Sequence, residues 1–197
     1  MAAEFKPGAT IDLATPLGVV TVVRQLGRGS FGSVYEVEDR TGGTWAMKVE
    51  TITPQFSQLQ YEYRVYAALA GKAGVPRVHA FRKDSRHRYL VMDRLGDNLH
   101  TVLMKSPARR LPLKYVCVVG IRILNRLEAL HKSGFVHRDV KPQNFLLSAA
   151  GDPSDIWAVD FGLAKVYRDP SGNHIPYRSN KRGLTGTPRF ASTFAQR

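Results

Sequence analysis

Apolar and polar positions alternate through much of the first half of the chain and recur at three- and four-residue spacing through the second. From Val19 the sequence reads "VVTVVRQLGRGSFGSVYEVEDRTGGTWAMKVE". It holds two strand-like runs, Val19 to Leu26 and Ser33 to Glu38, joined by a glycine-rich turn. A third run, Thr44 to Glu50, follows "DRTGG", a good hairpin connection, so an antiparallel meander is predicted rather than a βαβ unit. Gln58 to Ala70, "QLQYEYRVYAALA", switches to a helical period, with Leu59, Tyr63, Tyr66 and Leu69 or Ala70 on one side. Strands are predicted again over Pro76 to Phe81 and Arg88 to Met92, before "DRLGDNL" breaks the pattern. Helices are then predicted over Asn98 to Met104 and Leu113 to Lys132. In the longer one Val116, Val119, Ile123, Leu127 and Leu130 form a stripe expected to be buried, and Gly134 closes it. The change of pattern near Gly96 separates a β-rich first part from a helical second part, with no internal repeat or low-complexity tract.

Composition narrows the class. At 197 residues the chain suits one sizeable core or two small lobes. A single cysteine, Cys117, rules out an intrachain disulfide framework and a cysteine-based zinc site, and a reducing compartment, cytoplasmic or nuclear, is expected. "MAAEFKPGATIDLATP" lacks a secretory signal pattern, and no apolar run reaches membrane-spanning length. The net charge of +13 favours anionic partners: nucleic acid, phosphate, acidic peptide or anionic lipid.

Candidate chemistry begins at "GRGSFGSV", Gly27 to Val34, with spacing G-x-G-x-x-G-x-V. Dinucleotide sites use similar glycines but need a helix immediately after them, and here strands flank both sides. A hairpin whose backbone N–H groups close over phosphates fits better, with Val34 against the face of a base. Lys48, inside the apolar "WAMKVE", needs a partner, because an isolated buried charge is strongly disfavoured. Glu62, between Leu59 and Tyr66 on the following helix, is its expected partner, and the pair would hold the ammonium toward the α/β-phosphates.

"HRDVKPQN" places Asp139, Lys141 and Asn144 in one loop after the long helix. Asp139 would orient and deprotonate a hydroxyl nucleophile, Lys141 would hold the moving phosphoryl group, and Asn144 would offer an oxygen to Mg²⁺. Phe145, Leu146 and Leu147 would seat the end of the loop in the core, and His137 is expected to be structural. In "WAVDFGLA", the Asp160 carboxylate would ligate Mg²⁺ and Phe161 would wedge against the glutamate-bearing helix. Any one of these motifs is weak; five in this order and context are not a chance match.

Together they resemble a eukaryotic protein kinase. "HRDVKPQNFL", "VDFGLAKVYRDP", "HIPYR" and especially "LTGTPRFAS" resemble the casein kinase 1 family, from about Leu17 to Ser192. That resemblance implies an α+β, bilobal fold: a β-rich N-terminal lobe with one main helix over residues 17–95, an incomplete helical C-terminal lobe over residues 96–197, and an ATP cleft between them. It implies transfer of the ATP γ-phosphate to serine and threonine hydroxyls, with Mg²⁺ and a preference for acidic or phosphoprimed sites. By motif, nucleotide binding falls to Leu26, Gly27, Gly29, Gly32, Val34, Ala46, Lys48, Glu62, Met92 as gatekeeper, and Asp93 and Leu95 in the hinge. Asp139, Lys141 and Asn144 take the catalytic roles, and Asn144 with Asp160 the metal-binding ones. Arg178, Lys181, Arg182 and Arg189, with Lys141, would form an anion site for the peptide. A monomer is expected, with no specific nucleic-acid partner, since only the charge supports one.

The pattern also departs from the family. Gln143 stands in place of an aspartate, Arg94 and Asp97 would alter the rim of the adenine pocket, and Pro188 and Phe190 replace alanine and tyrosine. A family kinase continues into further helices, so the apolar faces of Leu113 to Lys132 and of Phe145 to Leu147 are expected to lack part of their cover and to leave apolar surface exposed. Two accounts follow: a truncated or partial kinase, or a short ATP-binding interaction module without turnover.

Overall fold

The computed structural model of the chain describes residues 4–29, 32–53, 57–169, 171–176 and 184–196. They fall into two compact units, Met1–Ala70 with Pro76–Arg94, and Gly71–Val75 with Leu95–Arg197.

The first unit is a six-stranded antiparallel sheet and one helix. Its strands are β1 (Thr10–Asp12), β2 (Val19–Gly29), β3 (Gly32–Asp39), β4 (Thr44–Thr51), β5 (Val78–Lys83) and β6 (His87–Asp93), in the order β1-β2-β3-β4-β6-β5. Side-chain alternation sends Val20, Val22, Tyr35, Val37, Met47, Val49, Tyr89 and Val91 to one face, where they bury each other with Ile11 and Leu13. β1 escaped the sequence pattern: three residues are too few to display alternation, and pairing with β2 (Ile11 opposite Val20) creates it. The "DRTGG" connection is organised by Asp39, whose Oδ1 accepts N–H bonds from Thr41 and Gly43 while Oδ2 accepts the Trp45 indole N–H at 2.9 Å. The Thr41 hydroxyl also donates to Oδ1, at 2.6 Å, and these bonds, the Thr41 hydroxyl and the Trp45 indole foremost, hold the carboxyl well below its ordinary range.

The helix α1 (Gln58–Ala68) packs on β5 and β6. Its buried face differs from the expected stripe: Leu59, Glu62, Val65, Tyr66 and Leu69 are inside, Tyr63 is half-buried in a stack on Phe81, and Ala70 is exposed. A helix pressed on a sheet buries a broader face than one stripe, which brings in Val65.

The second unit contains α2 (Leu99–Lys105), α3 (Leu113–Lys132) and the short strands β7 (Phe135–Val136), β8 (Phe145–Leu147), β9 (Ile156–Ala158) and β10 (Lys165–Val166). Asn98 caps α2, its Oδ1 accepting the Thr101 N–H at 2.8 Å. β8 pairs antiparallel with β9, and β7 with β10. Phe145, Leu147, Ile156, Ala158 and Phe161 are buried and Leu146 is half-buried, so β8, paired with β9, is covered where exposed apolar surface was expected. Residues 71–75 join this unit through Gly74, whose carbonyl accepts the Ala158 N–H at 2.8 Å. Gly134 takes a left-handed φ of 84° just beyond α3, the conformation a helix-closing glycine supplies.

α3 corrects one expectation. Val119 and Leu130 are buried and Ile123 and Leu127 half-buried, but Val116 is exposed together with Leu113, Ile121 and Leu124. Among the described residues α3 packs chiefly on β7 and β9, which cover a narrower strip than its apolar surface. No helix of the described residues is long and apolar enough to cross a membrane.

Two leucines on α3 test this division. Leu130, 4% exposed, should lose about 2–5 kcal/mol of unfolding free energy on change to alanine, whereas Leu124, 67% exposed, should change by no more than about 0.5 kcal/mol. Urea unfolding of the two variants is the measurement, and equal losses would mean that α3 buries a different face.

Candidate active site

On the sheet face opposite the core, cross-strand register assembles rows from distant parts of the sequence. Val34, Lys48 and Leu90 are neighbours in one row, and Glu36, Ala46 and Met92 in the next. Four of the expected nucleotide residues, Val34, Ala46, Lys48 and Met92, therefore share one face. Leu26 lies at a register shift between Gln25 and Gly27, where a bulge re-aims the strand.

Of the three turn glycines, only Gly32 is required by the fold itself. Its φ is 145°, and a Cβ there would collide with the Val49 carbonyl. A Cβ on Gly27 or Gly29 would meet nothing within 4 Å. Residues 30–31 of this turn lie outside the described residues.

Lys48 Nζ lies 2.7 Å from Glu62 Oε2, with Glu62 1% exposed. The register of β4 and the helical phase of α1 make the pairing possible. Desolvating either charge alone would cost several kcal/mol.

Asp93 is tied within the first unit by its Oδ1 to His79 Nε2 at 2.7 Å and by its Oδ2 to the Arg77 N–H at 2.7 Å. Arg94 donates from Nε to Glu36 Oε2 at 2.9 Å, and Arg24 donates to the same oxygen at 2.8 Å. Burial works to raise the Glu36 pKa, but the two guanidinium groups outweigh it and lower it. In the second unit Leu95 is buried, and Asp97 forms an exposed pair with Lys105 at 2.7 Å.

The second unit gathers its chemistry around Asp139. The carboxylate is nearly buried, with Lys141 Nζ 2.6 Å from Oδ2. Oδ1 accepts the Thr187 N–H at 2.9 Å and the Thr187 hydroxyl at 2.8 Å, and that hydroxyl accepts from Lys141 Nζ at 3.0 Å. Asn144, at the end of the tight turn Pro142–Asn144, directs Nδ2 to the Asp139 carbonyl at 2.9 Å and to Oδ2 at 3.3 Å. Burial would raise the pKa of Asp139; the hydrogen bonds and charge of Lys141, with the bonds of Thr187, prevail and hold it below its ordinary value of 3.8.

His137 supports this loop from the interior. Its Nδ1 accepts the Asp139 N–H at 3.3 Å, which leaves Nε2 to donate to the Val159 carbonyl at 3.1 Å and sets the neutral Nε2–H tautomer. Burial lowers its pKa, so the neutral form persists. The ring centroid of Phe161 lies 5.4 Å away. Asp160 adopts a left-handed backbone, φ 64° and ψ 64°, which is strained for a residue other than glycine and characteristic of working sites.

Two residues carry more of this geometry than their sequence context reveals. Thr187 and Gly186 both lie in "LTGTPRFAS", but the motif alone assigns them no contact. A Cβ on Gly186, at φ 97°, would stand 2.5 Å from the Arg138 carbonyl, so glycine is what lets this segment approach the Asp139 loop. Of the expected anion-site cations, Arg178, Lys181 and Arg182 lie outside the described residues. Arg189 is exposed, its guanidinium 5.8 Å from the Phe190 ring centroid, and Lys141 is engaged by Asp139.

The order of these elements along the chain is matched independently. A family model described as the protein kinase domain covers residues 20–192, from the first long strand through the segment bearing Thr187. With a β-rich unit holding the paired Lys48 and Glu62, and a helical unit holding the Asp139 loop, the chain has the bilobal kinase-like fold and belongs to the protein kinase family.

Proposed function

We propose that this protein phosphorylates serine and threonine hydroxyls, with ATP as donor and Mg²⁺ as its accompanying cation, and that it favours acidic or phosphorylated peptides. The observation that carries the proposal is the cradle of Asp139 and Lys141 around the hydroxyl of Thr187. An aliphatic hydroxyl already lies at hydrogen-bond distance from a carboxylate oxygen and an ammonium, the environment that a serine or threonine substrate needs. Membership of the protein kinase family supports ATP-dependent phosphotransfer as the reaction class.

The residues divide the work. Asp139, kept ionised by its neighbours, accepts the hydroxyl proton as the oxygen bonds to the γ-phosphorus and the bond from that phosphorus to the β,γ-bridging oxygen breaks, releasing ADP. Lys141 balances charge building on the transferred group. Lys48, oriented by Glu62, binds the α/β-phosphates, while Leu26, Val34, Ala46 and Met92 supply apolar contact for adenine, and the backbone of Asp93 and Leu95 supplies hydrogen bonds. A Cβ at Gly27 or Gly29 would meet nothing within 4 Å, and the missing side chains leave room for phosphate to approach the backbone there.

For the cation, Asn144 and Asp160 are the fitting donors. The Asn144 Nδ2 is committed to Asp139, so its carboxamide oxygen is the end left for a ligand. Among the described residues no cluster of three His, Cys, Asp or Glu side chains could hold a metal, but Mg²⁺ takes few protein oxygens and completes its shell with water and substrate phosphate. When bound, Mg²⁺ would neutralise phosphate charge.

Peptide choice is supported by the net charge of +13 and by the exposed guanidinium of Arg189. Monomeric action in the cytoplasm or nucleus belongs to the same proposal, with the single exposed thiol of Cys117 suiting a reducing compartment.

Calorimetric titration of the purified chain should detect ATP·Mg²⁺ binding, weakened at least about tenfold in Lys48→Ala. A folded protein giving no heat at millimolar ATP would exclude both the kinase and the ATP-binding interaction module. Turnover of a serine peptide separates those two.

Asp139 makes a signed pH prediction. Its folded pKa lies below the ordinary 3.8, so its stabilising interactions are complete above that value and are lost as pH falls through the folded pKa. Thr187→Val removes one of the groups that lower it and should move the acid limb of kcat/KM to higher pH. The same change should cut kcat about 10- to 100-fold, while Thr187→Ser keeps most of the activity. An unmoved acid limb in the valine variant would contradict the role given to the hydroxyl.

Phosphorylation of acidic peptides should exceed that of basic ones, and the preference should shrink with added salt and in Arg189→Ala. An arginine-rich peptide proving the best substrate would overturn the anion preference.

A further inference from the structure

The N-terminus of α1 is held by a residue outside the helix. No acidic side chain occupies its first turn, so neither the helix dipole nor the first amides are served by a carboxylate of its own. Glu50, on β4, takes that place. Its Oε1 accepts the N–H groups of Gln58 at 2.9 Å and Leu59 at 3.1 Å, and its Oε2 accepts the Ser57 hydroxyl at 2.7 Å. Ser57 Oγ in turn accepts the Gln60 N–H at 3.2 Å, so three successive orphan amides are satisfied, two of them directly by Glu50.

The carboxylate is itself fixed. Arg88 stands opposite Glu50 in the β4–β6 register and donates from Nη1 to Oε2 at 3.2 Å, with both side chains largely buried. Glu50 thus has little freedom to follow the helix if the helix moves.

Glu50 lies two residues beyond Lys48 and therefore on the same face of β4, about 6.6 Å further along the strand. On α1, Glu62 lies three to four residues beyond the amides that Glu50 holds, about 4.5–6 Å along the helix axis. Strand and helix are therefore pinned at two points with nearly matched spacing. One is the Lys48–Glu62 ion pair; the other is the cap from Glu50. A single ion pair between two long side chains would tolerate a sliding or pivoting helix. The second attachment removes that freedom.

The geometry points to Glu50 as a positioning residue that sets where α1 sits on β4, and through it keeps Glu62 against Lys48. Its consequence for ATP rests on the proposed role of Lys48 as phosphate anchor; its consequence for the Lys48–Glu62 pair does not. If Glu50 is lost, the fraction of molecules with Lys48 correctly held falls, and apparent ATP affinity falls with that fraction.

The test uses the full chain and two readouts. One is the rate at which Lys48 is acylated by a lysine-reactive ester, mapped by peptide mass spectrometry. The other is the dissociation constant for ATP·Mg²⁺. In Glu50→Ala, Lys48 should react about tenfold faster and ATP should bind about tenfold more weakly, the range expected for a lost helix cap. Glu50→Gln should fall between that variant and wild type, because a carboxamide oxygen still accepts the Gln58 and Leu59 amides but offers Arg88 no charge. It also answers the question if the alanine variant does not fold. Val37→Ala, a core change remote from this cap, should lower Tm while leaving both readouts at wild-type values. Lys48 labelling unchanged in both Glu50 variants, or raised equally in Val37→Ala, would overturn the proposal. If wild type itself binds no ATP, the nucleotide proposal fails, while the labelling rates still decide the role of Glu50.

Discussion

A carboxylate removed from water must meet a cation or a set of donors, and the functional geometry of this protein depends on that requirement being met twice. Glu62 is nearly inaccessible to solvent and is stabilised by Lys48 at 2.7 Å. Asp139 is nearly as buried and is surrounded by Lys141, Thr187 and Asn144. Losing Lys48 or Lys141 would leave a buried carboxylate without its cation, a penalty of about 3–5 kcal/mol. The groups that phosphotransfer would use are therefore also groups whose arrangement the fold cannot relax without losing stability.

The two centres are built differently. Around Lys48 the framework is a sheet, and antiparallel register aligns Val34, Lys48 and Leu90 although they are far apart in sequence. Around Asp139 regular structure is scarce, and side chains do the positioning: His137 between the Asp139 amide and the Val159 carbonyl, Asn144 folded back on Asp139, and Thr187 brought in from 48 residues away. Irregular backbone needs such bonds because no ladder of hydrogen bonds holds it. The left-handed conformation of Asp160 belongs to the same economy of local strain held by surrounding contacts.

Much of this was legible from the chain. Alternation located five of the six strands of the sheet, and the period of 3.6 located α1, α2 and α3, because both signals arise from residues adjacent in sequence. The pairing of Lys48 with Glu62 was accessible too, since a lone charge in an apolar strand and another on an apolar helix face each demand a partner. Which apolar residues of α3 stay exposed, Val116 among them, was not, because the helical period identifies an apolar stripe but not the width of what covers it.

The sequence by itself determined the elements, the order of the motifs and the residue types available for chemistry, since these follow from local periodicity and side-chain functional groups. Tertiary structure alone decided which distant groups meet. Thr187 comes to Asp139 only because Gly186 permits a close backbone approach to Arg138. Glu50 caps α1 only because β4 presents it beside Gln58, in line with Arg88 on β6. Neither contact leaves a periodic trace, because a hydrogen bond between separate elements depends on register and distance, which no local pattern encodes.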